Sequence, residues 1–209
     1  MSQILQLLII LANKAILFYI KMHDIKWQNG FESWDLKRIE VPMDGNCLFH
    51  AIAMAFFKPY IDEVFNGIAM SRLQMIKNLR HELSEKLSQP IKGSEKTCYY
   101  DLLNNGNTAK FASSVPEFNI HYMKQQLNSG NAIGYGFFEY INNQLNKDIF
   151  ILNGETEDLY KTDEYKLSIK HRNAIVLYYK NNHYELISCD GHTHFNPYHP
   201  FILFLKSKI

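Results

Sequence analysis

The segment from Cys47 to Phe57, CLFHAIAMAFF, constrains this chain more than any other. It is apolar on nearly every face, and a helix without a polar stripe belongs in the middle of a fold, covered on all sides. Lys58 and Pro59 stop it, because the proline ring and its missing N–H cannot continue a helix. Just before it, Asp44-Gly45-Asn46 contains residues that tolerate the tight or left-handed backbone of a turn. The chain therefore enters a buried helix through a sharp corner, with Cys47 in the first turn. With 209 residues, 46% of them apolar and 14% aromatic, one ordinary domain has enough interior to cover such a helix.

The covering elements follow a mixed α and β order. Leu73, Ile76, Leu79, Leu83 and Leu87 recur at spacings of three and four, which predicts an amphipathic helix over about 68 to 88. Weaker helical patterns cover 117 to 127 and 137 to 145, joined by the glycine-bearing connector NSGNAIGYG. From Asp148 the character changes: DIFIL (148 to 152), NAIVLYY (173 to 179) and HYELIS (183 to 188) are short β-branched and aromatic runs that predict strands. Lys180-Asn181-Asn182 suits a three-residue hairpin connection, so His183 opens a strand antiparallel to 173 to 179. FILFL (201 to 205) reads as a final strand. No repeat or low-complexity linker divides the chain after about residue 25, so we expect an N-terminal segment, 1–25, and one domain over 26–209.

Lys plus Arg number 22 against 21 Asp plus Glu, and this net charge of +1 provides no pull toward nucleic acid. Cys47, Cys98 and Cys189 form no CxxC pair and no disulfide framework, which suits a reducing, cytoplasmic compartment. Residues 4–20, ILQLLIILANKAILFYI, are almost wholly apolar but lack the flanking features of a signal peptide and sit at the short limit for a spanning helix. A docked helix is the favoured reading over a membrane anchor, and a translation start at Met22 is a third.

A thiol at a helix start has its pKa lowered by the unpaired amides gathered there. Asp44, Gly45, Asn46 and Cys47 can aim backbone N–H groups at the point where an acyl-transfer oxyanion would form, and Gly45 lets a substrate approach closely. The competing reading is an inert, buried, small hydrophobe. A nucleophile needs a base, and His183 stands at a strand start after a polar hairpin. Side chains alternate along a strand, so Glu185 shares its face and can accept the imidazole N–H, while Tyr184 points the other way. Cys189, His192, His194 and His199 include donors that zinc accepts, yet they lack a recognisable ligand spacing, and we expect neither metal nor cofactor.

The strings VPMDGNCLFHAIA and IVLYYKNNHYELI resemble the two signatures of the ovarian tumour (OTU) family of cysteine deubiquitinases. Residues 44 to 52 reproduce the family's Asp-Gly-Asn-Cys-Leu-Phe-x-Ala-Ile pattern, with His50 in the variable place, and weaker likeness extends over roughly 39 to 188. The resemblance implies a papain-like α/β (α+β) fold, with a central mixed sheet of about five strands between helices. It implies hydrolysis after the C-terminal glycine of ubiquitin, with Cys47 as nucleophile and His183 as base. For the third member it leaves Asp44 and Glu185 open, since the family commonly has Asp or Asn where this chain has Glu185. Asn131, Ile133, Gly134, Tyr135 and Gly136, with Tyr184, become candidates for the channel that takes the ubiquitin tail. The glycines there can equally serve to end one helix and start another. The implied partner is ubiquitin, its chains or a ubiquitin-like modifier, bound by a monomer. The richness in Ile, Asn and Lys suits an AT-rich genome of viral or bacterial type, acting in a host cytoplasm. The alternative is a catalytically weak ubiquitin-binding module.

Overall fold

The structure is a computed structural model and describes residues 21–27, 30–90, 119–162 and 171–209. The apolar segment 4–20 and Cys98 lie outside the described residues. The strands are β1 (Met22–Asp24), β2 (Leu36–Ile39), β3 (Val64–Phe65), β4 (Ile68–Ala69), β5 (Lys147–Asn153), β6 (Asp158–Lys161), β7 (Asn173–Lys180) and β8 (His183–Cys189). The helices are α1 (Cys47–Phe56), α2 (Lys58–Asp62), α3 (Arg72–Lys86), α4 (Ile120–Ser129), α5 (Phe138–Leu145) and α6 (Pro200–Lys208), with a 3-10 turn at Tyr135–Phe137.

Six strands form one mixed sheet in the order β1-β2-β8-β7-β5-β6, one more than expected. The β5–β7 pair is parallel and the other neighbours are antiparallel. Ile39, Ile149, Ile151, Ile175, Leu177 and Leu186 face α1, whereas Leu36, Phe150, Leu152, Val176 and Ile187 face Phe201, Ile202 and Leu205 of α6. Burial on both faces explains why β5 and β7 read as near-continuous apolar runs rather than alternating ones. On its other side α1 packs against α3, and α3 against α4. Every residue of α1 from Cys47 to Ala55 is buried, so the all-apolar helix sits between layers as its pattern demanded.

Several expectations need correction. FILFL is helical: Pro200 stands at the first helical position, the His199 side chain accepts from the Phe201 amide at 3.3 Å, and Lys206 and Lys208 occupy the last turn. A five-residue apolar run does not separate strand from helix, and the proline start signal decides it. The helix expected from 68 begins at Arg72, where the Ser71 hydroxyl accepts from the Gln74 amide. Ile68 and Ala69 instead pair with Val64 and Phe65 across Asn66-Gly67, both with positive φ, the signature of a two-residue hairpin turn. The β7–β8 connection is also two residues long, since Lys180 pairs with His183 and both Asn181 (φ 52) and Asn182 (φ 57) are left-handed. Strand β1 is hydrogen-bonded into the sheet through β2.

Candidate active site

Asp44-Gly45-Asn46 forms the turn that the sequence suggested. The Asp44 carboxylate accepts from the Asn46 amide at 3.0 Å, and the Asn46 side chain donates to the Asp44 carbonyl at 3.3 Å. Gly45 has φ +77, and a Cβ there would come within 2.8 Å of the Gly130 carbonyl oxygen. The turn is thus pressed against the backbone of 130 to 132, the connector expected to form one wall of a channel. Cys47 follows as the first residue of α1 and is 5% exposed. Because the Asn46 amide is spent on Asp44, the Gly45 and Cys47 amides are the candidates for holding an oxyanion.

His183 is the first residue of β8 and is half-buried. Strand β8 packs on α1. Burial, reinforced by Tyr160, Tyr179 and the charge of Cys47, pushes up the phenol of Tyr184, the residue next to His183. Cys47 has the same effect on Tyr179, which stands opposite Tyr184 in the β7–β8 register, behind burial and Glu155. Cys47 thus acts on both tyrosines of this pair, while the charges that act on His183 are those of Glu185 and Glu40. Burial lowers the His183 pKa from its ordinary 6.5, and the carboxylates of Glu185 and Glu40 oppose the shift. The imidazole is consequently neutral at pH 7 and able to take a proton.

The two candidates for a third member are engaged elsewhere. Asp44 meets Nε2 of the buried His50 at 3.2 Å, and His50 Nδ1 meets the Tyr60 hydroxyl at 2.7 Å. Burial lowers the His50 pKa despite Asp44. The consistent arrangement is a neutral ring that donates from Nε2 to Asp44 and accepts from Tyr60. Burial would raise the Asp44 pKa, but the Asn46 amide and His50 outweigh it, and the carboxyl lies below its usual value. Glu185 accepts from Arg38 Nη1 at 2.7 Å, and Arg38 lies over the Tyr178 ring. The expected hydrogen bond from His183 to Glu185 is absent among the described residues, and Glu185 acts on the imidazole through its field. Arg38 diverts it by standing on the neighbouring strand, a contact that the sequence order of β2 and β8 conceals.

The connector divides by role. Gly130 (φ +75) is the left-handed stop of α4, so this glycine ends a helix. Asn131 is exposed, Ile133 is buried in the core with α1, and Gly134 has open space where a side chain would be. Gly136 lies in the 3-10 turn. Tyr135, 45% exposed, stacks edge-on against Phe138, which stacks edge-on against Tyr184. Through these rings Tyr135 is joined to Tyr184 at the start of β8, while Ile133 is committed to the interior.

Sequence reasoning missed Arg80, which sits at 2% exposure and donates to the Asn46 side chain and to backbone of 126 to 131. It lies in a helix read as a charged surface, and nothing in its spacing marks it. His50 did carry a signal, as the polar residue inside an all-apolar helix. Three of the late Cys and His group have structural places: burial, with Asp190, pushes the Cys189 thiol up to about 12, His192 bonds the Asp190 carbonyl and His199 caps α6, whereas His194 lies against the Phe56 ring with its buried Nε2 unbonded among the described residues. Among the described residues no group of three or more His, Cys, Asp or Glu is arranged to hold a metal ion, and no helix is long and apolar enough to cross a membrane.

No protein-family model matches the sequence. No curated protein matches it either. Solved structures do. One described as an ovarian tumour (OTU) domain in complex with ubiquitin superposes with a TM-score of 0.54 at 20% identity, covering 90% of this chain and 88% of that one. The OTU domain of OTUD1 gives a TM-score of 0.44 at 16% identity over 73% of this chain and 85% of that one. The viral OTU domain protease from Dera Ghazi Khan virus gives 0.44 at 17% identity over 81% and 86%. The six-stranded mixed sheet, with α1 buried against it, is the fold of the OTU domain.

Proposed function

We propose that the chain is a cysteine deubiquitinase that hydrolyses the isopeptide or peptide bond after the C-terminal glycine of ubiquitin or a ubiquitin-like modifier. The observation that supports this reading is the turn bearing Cys47 packed against the 130–132 backbone, at the start of a helix that also packs on β8, the strand His183 opens. His183, neutral at pH 7, takes the proton from the Cys47 thiol. The thiolate attacks the glycine carbonyl, and the Gly45 and Cys47 amides hold the developing oxyanion. His183 then gives its proton to the leaving amine as the carbon–nitrogen bond breaks. A water molecule, deprotonated by His183, cleaves the thioester and restores the thiol. Tyr135, Gly134 and Asn131 border the extended tail, and Tyr184 meets Tyr135 through Phe138. The solved OTU structure that holds ubiquitin supports the choice of partner. A monomer working in a reducing cytoplasm fits a free thiol.

Ubiquitin carrying a C-terminal electrophile tests the reading. Wild type should form a covalent adduct, and Cys47→Ala should form none; an adduct that survives the substitution counts against Cys47. A second reading, a ubiquitin-binding module without turnover, is favoured by one observation: neither Asp44 nor Glu185 hydrogen-bonds His183. Di-ubiquitin that is bound but never cleaved would select it.

A further inference from the structure

Arg80 heads the largest fully buried side chains of the described residues, and the mechanism above makes no use of it. Among the described residues no carboxylate hydrogen-bonds to it. Its Nε donates to the Leu127 carbonyl at 2.8 Å, and Nη2 donates to the carbonyls of Gln126 at 2.8 Å and Asn131 at 2.9 Å. Nη1 donates to the Asn46 side chain at 2.7 Å, and the Phe49 ring lies 4.8 Å from the guanidinium carbon. Gln126 and Leu127 belong to the last turn of α4, whose unpaired carbonyls form the negative end of that helix. Asn131 opens the connector, and Asn46 directly precedes the nucleophile.

Burying a charge is a poor route to stability, because apolar side chains of similar volume often do as well. What the guanidinium adds is a rigid planar fork that fixes several acceptors in one geometry. Here the acceptors belong to two segments remote in sequence that touch where Gly45 meets Gly130. We infer that Arg80 is a positioning residue: it sets the turn carrying Cys47 against the connector, fixing the nucleophile's amides and one wall of the tail channel together. This rests on the reading of Cys47 as nucleophile.

The test uses the full chain as wild type, Arg80→Lys, Asn46→Ala and the double variant. Alkylation of Cys47 by iodoacetamide, followed at the Cys47 peptide against pH, needs no ubiquitin. It reads the amides around the sulfur, since displacing them slows the attack of the sulfur on the reagent. Turnover of a fluorogenic ubiquitin substrate, normalised by titration with the electrophilic probe, gives kcat per competent site and KM.

Arg80→Lys and Asn46→Ala should each slow alkylation at pH 7 by about tenfold and lower kcat per site by about 100-fold, the scale for a misplaced reacting group. KM should rise with Arg80→Lys, which also releases the connector, and stay within about twofold with Asn46→Ala. The double variant should be no worse than Arg80→Lys, as expected of residues acting through one contact. A stability-only role predicts the opposite: fewer titratable sites, each with wild-type kcat and an unshifted alkylation profile. That result, or effects of the two substitutions that multiply, overturns the inference. If Arg80→Lys does not fold, Asn46→Ala, which keeps three of the four Arg80 bonds, decides alone, and a wild-type profile refutes it. Loss of alkylation in the variants of a wild type that cleaves nothing would sink the deubiquitinase reading and leave this one standing. Cleavage by wild type and both variants alike would do the reverse.

Discussion

Gly45→Ala should damage this protein in two separable ways, and Gly67→Ala measures one of them alone. Both glycines are left-handed, with φ +77 and +79. An alanine there costs roughly 1–2 kcal/mol in backbone strain. At Gly67 a Cβ meets nothing within 4 Å, so that cost is the whole effect. At Gly45 the Cβ meets the Gly130 carbonyl oxygen at 2.8 Å and the Ala132 amide at 3.3 Å. Ordinary contact begins near 3.4 Å, so the turn and the connector must part by about 0.6 Å (3.4 minus 2.8) between two backbone segments that cannot rotate away. Overpacking of this kind adds about 1–3 kcal/mol, so Gly45→Ala should cost about 2–5 kcal/mol in total. The same displacement carries Cys47 with it, and kcat should fall on the order of 100-fold. Denaturant unfolding of both variants, with kcat on a fluorogenic ubiquitin substrate, checks the pair. Equal stability losses at the two positions, with kcat intact in Gly45→Ala, would refute the close packing of turn on connector.

Tyr60→Phe removes the buried hydroxyl at 2.7 Å from His50 Nδ1 and should destabilise by about 1–3 kcal/mol in denaturant melts; a neutral result would mean that the Asp44-His50-Tyr60 chain is not formed. Because burial lowers the His183 pKa, the acid limb of kcat/KM should lie below pH 6.5, and Glu185→Gln, which removes a charge opposing that shift, should move the limb lower still; a limb moved upward contradicts the assigned geometry. His50, His183 and His194 all have pKa values lowered by burial, so the unfolded chain binds more protons than the folded one as pH falls through 6.5. Stability should therefore be fully present above 6.5 and lost progressively below it, and a denaturant midpoint unchanged between pH 7.5 and 5 would exclude this.

The resemblance of residues 44 to 52 and of the His-Tyr strand to a known family anticipated the sheet-and-helix architecture. Local chemistry alone accounts for the turn at Gly45, the all-buried α1 and the β7–β8 hairpin. What the sequence conceals has one cause. Along its own strand Glu185 shares a face with His183, but its partner Arg38 arrives from β2, far earlier in the chain. The Asp44 carboxylate likewise bonds the buried imidazole of His50, one turn into α1. Short apolar runs such as FILFL carry no period long enough to choose between helix and strand.

What the amino-acid order determined without help is whatever one stretch of chain decides by its own covalent geometry: a tripeptide that must bend, a helix with no face for water, and an asparagine pair that reverses a strand. What only the tertiary structure decided is who bonds to whom among the buried polar groups. Arg80, His50, Tyr60 and Arg38 find acceptors on segments that no sequence spacing links, and desolvation makes those meetings obligatory once the layers close. The thiol at the start of a buried helix is legible in the chain; the frame of buried polar contacts around it is not.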